Sequence, residues 1–168
     1  MRDEHDKLIM PAGFLPSPER FGLSLDIDRW VIVNAMDTLV RHRKAQPDIR
    51  YSINLSPQAM SSPAIGAVIK EALDATQLDP AALVFEVTEN AAISDMTAAV
   101  RLLTTLRSYG CRTALDDFGA GMSSFAYLQE LPVDYVKIDG RFVKNLAANP
   151  VDQAMVRAMN DIAHALGK

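Results

Sequence analysis

Asn54, Glu86, the adjacent pair Asp116 and Asp117, and Lys137 with Asp139 each fall late in a short apolar run of this 168-residue sequence. Neighbouring carboxylates, another carboxylate one run away and an amide oxygen make a hard, all-oxygen donor set, suited to Mg²⁺ or Mn²⁺ rather than zinc. Bunched negative charges also call for a cation. Protonated lysine is a poor ligand for a hard ion, so Lys137 suits the orientation of an attacking water or contact with a substrate phosphate; otherwise it is an ordinary surface lysine. Any one late-strand carboxylate is most often a helix cap or a rim residue, but its recurrence on four runs points to one shared site. Directly after the aspartates, Gly119 and Gly121 flank Ala120, which allows positive φ and movement, or simply a turn.

The elements that must carry these residues are legible from periodicity. Ile32, Met36 and Leu39 recur at helical spacing, predicting a helix from Asp26 to about Ala45. A short strand over Tyr51 to Ser56 ends near Asn54. Ser62-Pro63 reads as a cap followed by proline at the first helical position, opening a helix with Ile65, Val68, Ala72 and Leu73 on one side. Leu83 to Glu89 is a second strand and Arg112 to Asp117 a third, separated by a helix from about Asp95 to Gly110. Strand side chains alternate in direction, so Asp116 and Asp117 cannot both face one way from a regular strand; the strand is predicted to be ending there. A short helix leads to Leu131-Pro132, a fourth strand spans Tyr135 to Asp139, and Asn149-Pro150 starts a last helix. That helix places Met155, Met159, Ile162 and Leu166 on one stripe, read as core.

Alternating strands and helices imply parallel strands in an α/β fold with a largely buried sheet. In a TIM-type barrel the chemistry sits at the C-terminal ends of the strands, which is where the polar residues fall. The composition, 49% hydrophobic and 23% charged, is that of a globular domain. A net charge of −4 offers no basic field for a long nucleic acid. No apolar run approaches a membrane span, and the charged opening MRDEHDKLIMPAG lacks a secretory core, so a cytoplasmic setting is expected. Lone Cys111 reads as an inert core thiol.

Asn54-Leu55-Ser56, Glu86-Val87-Thr88-Glu89, Asp116-Asp117-Phe118-Gly119 and Lys137-Ile138-Asp139 resemble, in order and spacing, the NLS, ExTE, DDFG and KID motifs of EAL domains. Supporting matches are Phe14-Leu15-Pro16 with Glu19 and Gly22-Leu23, Trp30-Val31 and Leu131-Pro132-Val133-Asp134. The resemblance implies a modified TIM-type (β/α) barrel, here with about four parallel strands of an incomplete barrel. It implies metal-dependent hydrolysis of cyclic-di-GMP to linear pGpG at a two-metal site of Mg²⁺ or Mn²⁺. Asn54, Glu86 and Asp116 would hold one metal, and Asp116 and Asp117 would hold or bridge to a second. Lys137 would position the hydrolytic water, Glu89 would anchor the glycine loop, and Asp139 would lie nearby on the substrate side. The resemblance also implies a homodimer, and sensory or GGDEF-type domains elsewhere in the full protein.

Relative to the family pattern, residues 1–168 read as the central portion of a single EAL-type domain cut at both ends. The Glu-Ala-Leu segment with its metal-ligand glutamate, the late glutamates and one or two closing strands are not in the sequence, so the isolated piece is expected to be inactive. The loop carries Ala120 and Met122 where the family commonly has threonine and tyrosine, and a hydroxyl is lost where Glu89 could bind it. A catalytically silent EAL domain, acting as a cyclic-di-GMP receptor or as an interaction module, is the alternative. A TIM-barrel aldolase using Lys137 as a Schiff-base amine is disfavoured, because the nearby aspartates would hold the amine charged.

Overall fold

The computed structural model describes residues 2, 4–10, 13, 17, 20–121 and 125–168. Pro11, Phe14, Leu15, Pro16, Pro18 and Glu19 of the opening, and Met122, Ser123 and Ser124 of the loop, lie outside the described residues.

Helix α1 runs Ser24–Arg43, and Ile32, Met36 and Leu39 on its inner stripe are fully buried. The same stripe continues back to Asp28 and Ser24, both also buried. Strand β1 (Tyr51–Asn54) is followed by a short helix α2 (Pro57–Ser61), which the sequence reading did not foresee; Ser56 caps it by accepting from the Ala59 amide. Ser62 therefore closes α2 rather than opening the next helix, and α3 (Ile65–Thr76) begins without a side-chain cap. A 3-10 turn at Pro80–Ala82 leads into β2 (Leu83–Thr88). Thr88 then caps a further helix, α4 (Glu89–Ser94), so Glu89 opens a helix rather than ending a strand. Asp95 caps α5 (Met96–Ser108), and Gly110 at φ +89° releases the chain into β3 (Arg112–Phe118). Helix α6 (Ala126–Glu130), β4 (Tyr135–Ile138), α7 (Gly140–Val143) and α8 (Pro150–Ala165) complete the described chain, with Asn149 capping α8 from the residue before its proline.

The four strands form one parallel sheet in the order β1-β2-β3-β4. On one face Ile53, Phe85, Val87, Leu115 and Phe118 are buried beneath the helices, meeting Ile65, Ile69, Leu102, Leu103 and Leu106 in a single core. Burying each such side chain contributes about 1.5–3 kcal/mol. Cys111 lies in that core, and burial, with the charge of Asp79 adding to it, pushes its thiol up to about 12. The opposite face is not buried as expected, since Ser52, Asn54, Arg112 and Tyr135 on it are exposed. That face is buried only at its centre, where Glu86 and Ala114 lie. Met159 is buried against the core while Met155 is 40% exposed, so only one of the two methionines belongs to it. The two share a stripe one turn apart, so the difference is one of position along the helix: Met155 lies nearer the start of α8, where Val151 is exposed too.

Candidate functional site

Strand register brings together the polar residues of the face turned away from the helices. Asn54 on β1 pairs with Glu86 on β2, and Glu86 pairs with Ala114 on β3. Two residues on, Thr88 pairs with Asp116. On the other side Ala114 pairs with Tyr135 of β4, so Lys137 lies two residues further along the same face. Period-two alternation thus places Asn54, Glu86, Asp116 and Lys137 on one face, near the C-terminal ends of their strands.

The β3·β4 ladder is interrupted between Leu115 and Phe118 by a bulge, and Asp117 inside it has φ +57°. This overturns the expectation that β3 ends at the aspartates. The strand continues through Phe118, whose carbonyl accepts from the Asp139 amide at 3.1 Å. The extra residue of the bulge, not a strand end, releases consecutive acids from strict alternation. The left-handed backbone this requires is one that aspartate tolerates better than most residues, and it is supported locally by the Asp117 amide donating to Asp116 Oδ1 at 3.0 Å.

Lys137 Nζ donates to Glu86 Oε2 at 2.5 Å and to Asp116 Oδ2 at 3.0 Å. Glu86 is almost wholly buried, its side chain 2% exposed. Placing Ala114 between β2 and β4 on this face leaves room for the lysine to reach a carboxylate two strands away. Partial burial acts to lower the Lys137 pKa, but the hydrogen bonds to, and charges of, Glu86 and Asp116 outweigh it and hold the ammonium above its ordinary value. Asp117 is pushed up, first by desolvation and then by the charges of Asp116 and Asp139, against the relief supplied by Lys137 and Arg141. Asp116, Asp117, Lys137, Asp139 and Arg141 therefore form one electrostatic cluster. Asp139 caps α7 by accepting from the Arg141 amide at 2.7 Å and pairs with Arg141 Nε at 3.3 Å. That backbone hydrogen bond, with the added help of the guanidinium, holds its carboxyl below the usual value.

Glu89 stands apart from this cluster. Its Oε2 accepts from the amides of Gly119 and Gly121, at 3.1 Å each, and its Oε1 accepts from the Tyr127 hydroxyl. Sequence reasoning missed Tyr127, whose partner lies 38 residues away with no local pattern to link them. It also missed Asp28, which receives the Ser56 hydroxyl just beyond Asn54; burial pushes the Asp28 carboxyl up, against hydrogen bonds from Ser56. Here a signal existed, since Asp28 interrupts the apolar stripe of α1.

The donor chemistry fits a hard cation. Glu86 and Asp116 stand close enough to share one positive group, and Lys137 shows it. Asn54 is exposed on the same face beside Glu86. Among the described residues no group of three or more acidic, histidine or cysteine side chains is gathered tightly enough to hold a metal ion on its own. No helix among them is long and apolar enough to cross a membrane.

The chain is 37% identical over 163 residues to cyclic di-GMP phosphodiesterase PdeF of Escherichia coli K12, covering 97% of this chain and 22% of the relative. It is 39% identical over 161 residues to cyclic di-GMP phosphodiesterase PdeB of Shewanella oneidensis, covering 96% and 19%. The chain thus spans about a fifth of the length of these curated relatives. The PaMucR phosphodiesterase, solved as a c-di-GMP complex, superposes with a TM-score of 0.91 at 32% identity, over 98% of this chain and 67% of that one. The FimX EAL domain from Pseudomonas aeruginosa bound to c-di-GMP gives 0.90 at 30% identity, over 100% and 67%. The sheet is accordingly part of the TIM-like barrel of EAL domains. With the EAL domain family matching residues 1–168 throughout, the chain belongs to that family.

Proposed function

We propose that the protein carrying this chain hydrolyses one phosphodiester bond of cyclic-di-GMP to give linear pGpG, in the cytoplasm, with Mg²⁺ or Mn²⁺ as cofactor. One observation carries the reading: Lys137 joins Glu86 and Asp116 across the ends of neighbouring parallel strands, in a chain whose relatives are named as phosphodiesterases for this nucleotide. Asn54, Glu86, Asp116 and Asp117 would hold the cations. When bound, divalent cations supply an acidified water and offset charge at the scissile phosphate.

The chain's own residues do the rest. Lys137, held protonated, donates from Nζ to orient the water or a phosphate oxygen and is not a base. The same shift argues against a neutral amine nucleophile of the aldolase kind. Water oxygen bonds to phosphorus, the ester oxygen leaves, and the water protons pass to solvent and to the departing oxygen. Asp139 holds Arg141 at the rim on the substrate side, and Glu89 keeps the glycine loop in place.

Glu86→Ala or Asp116→Ala in the whole protein is expected to abolish magnesium-dependent pGpG formation; wild-type turnover in either variant at saturating metal would refute the ligand assignment. The absence of a hydroxyl at Ala120 is what favours a receptor that binds without cleaving. Binding of cyclic-di-GMP with no pGpG released from the wild-type protein would establish that second reading.

A further inference from the structure

Glu89 is 2% exposed, yet among the described residues its carboxylate lacks a basic hydrogen-bond partner: two backbone amides and one phenol bind it. A buried carboxylate depends on such donors, and bonds to an ionised acceptor are about twice as strong as neutral ones. The two amides belong to Gly119 and Gly121, on either side of Ala120. The Ala120 amide in turn donates to the Asp117 carbonyl at 3.1 Å, so the loop held by Glu89 is continuous with the acidic bulge. Its other side is walled. A Cβ at Gly119 would come within 2.4 Å of Met159 Cε and 3.0 Å of Phe142 Cε2. At Gly119 the loop therefore lies between the Glu89 carboxylate and the side chains of Phe142 on α7 and Met159 on α8.

We infer that Tyr127 is a positioning residue of the active site: its hydroxyl fixes the Glu89 carboxylate against the loop backbone and so holds the Asp116-Asp117 bulge in place without a hydroxyl at position 120. This rests on the hydrolase reading above. Deprotonation does not release the anchor under ordinary conditions, because burial, the bond to Glu89 and its charge all push the phenol pKa up. Tyr127 takes one Glu89 oxygen while the backbone amides take the other, so the carboxylate is engaged at both ends without a side chain from position 120.

Tyr127→Phe keeps the ring and deletes only the donor, which makes it the decisive variant in the full protein. Three quantities are measured: hydrogen exchange at the Gly119 and Gly121 amides, affinity for Mn²⁺ by direct titration, and kcat and KM for cyclic-di-GMP. Exchange is expected to accelerate about tenfold, the scale of one lost bond to a charged group. Mn²⁺ affinity and kcat are expected to fall, with KM unchanged. Unchanged exchange at the two amides overturns the anchor. Faster exchange with undiminished Mn²⁺ affinity and kcat overturns the positioning role, leaving only a structural bond. If the wild-type protein proves inert toward cyclic-di-GMP, the hydrolase reading fails, while exchange and Mn²⁺ affinity still decide the role of Tyr127.

Discussion

Lys137→Met isolates the charge at the centre of the cluster while keeping most of the side chain's bulk. Its ammonium bonds a Glu86 carboxylate that is 2% exposed, at 2.5 Å, while the lysine side chain itself is 45% exposed. Breaking a fully buried pair by removing one partner costs about 3–5 kcal/mol, and losing one charge-assisted hydrogen bond costs about 1.5–3 kcal/mol. Water reaches the lysine side of this pair, so screening favours the lower range, and a loss of about 2 kcal/mol is expected in the presence of EDTA. For a domain of this size that corresponds to a fall in Tm of about 4–8 °C, read by calorimetry. Mg²⁺ or Mn²⁺ should recover much of the loss, because a divalent cation replaces the missing positive charge between Glu86 and Asp116. Hydrolysis should stay impaired even then, since no donor remains to orient the water. A variant as stable as wild type in EDTA, or one whose Tm does not respond to divalent ions more than that of wild type, would refute the shared-cation reasoning.

Gly119→Ala should cost about 2 kcal/mol, with about 1 kcal/mol from imposing a side chain at φ +91° and about 1 kcal/mol from displacing the flexible end of Met159; denaturant unfolding gives the loss, and activity should fall with it. Asp28→Asn tests the buried acid on α1. Its carboxyl pKa is raised above 3.8 in the folded state, so the wild-type protein forfeits stability as pH rises from about 3.8 through the folded value. The variant should therefore gain on wild type over that window in urea titrations, and parallel pH profiles would refute the assignment.

Periodicity in the chain was enough to determine the order and approximate extent of α1, α3, α5, α8 and the four strands, because amphipathic spacing is a local property written within each run of residues. The late-strand placement of Asn54, Glu86, Asp116, Lys137 and Asp139 was equally local. Together with their order and spacing it identified the family, which the relatives bear out. Short elements escaped: α2 and α4 hold only 5 and 6 residues, too few to display a helical period, and caps at Ser56 and Thr88 alone announce them.

Tertiary structure decided which of the polar residues actually meet. Lys137 and Glu86 lie 51 residues apart and touch only because strand register and the small Ala114 between them allow it. Alternation forbade Asp116 and Asp117 from acting together, and a bulge with one left-handed residue resolved the conflict at a point where no sequence rule demands a bulge. Glu89 and Tyr127 meet because α4 and α6 both pack beside the loop after β3, an arrangement set by the closing of the core over the sheet. Local patterns specify elements; contacts between residues far apart in the chain depend on how those elements share one core, and the candidate site is made of such contacts.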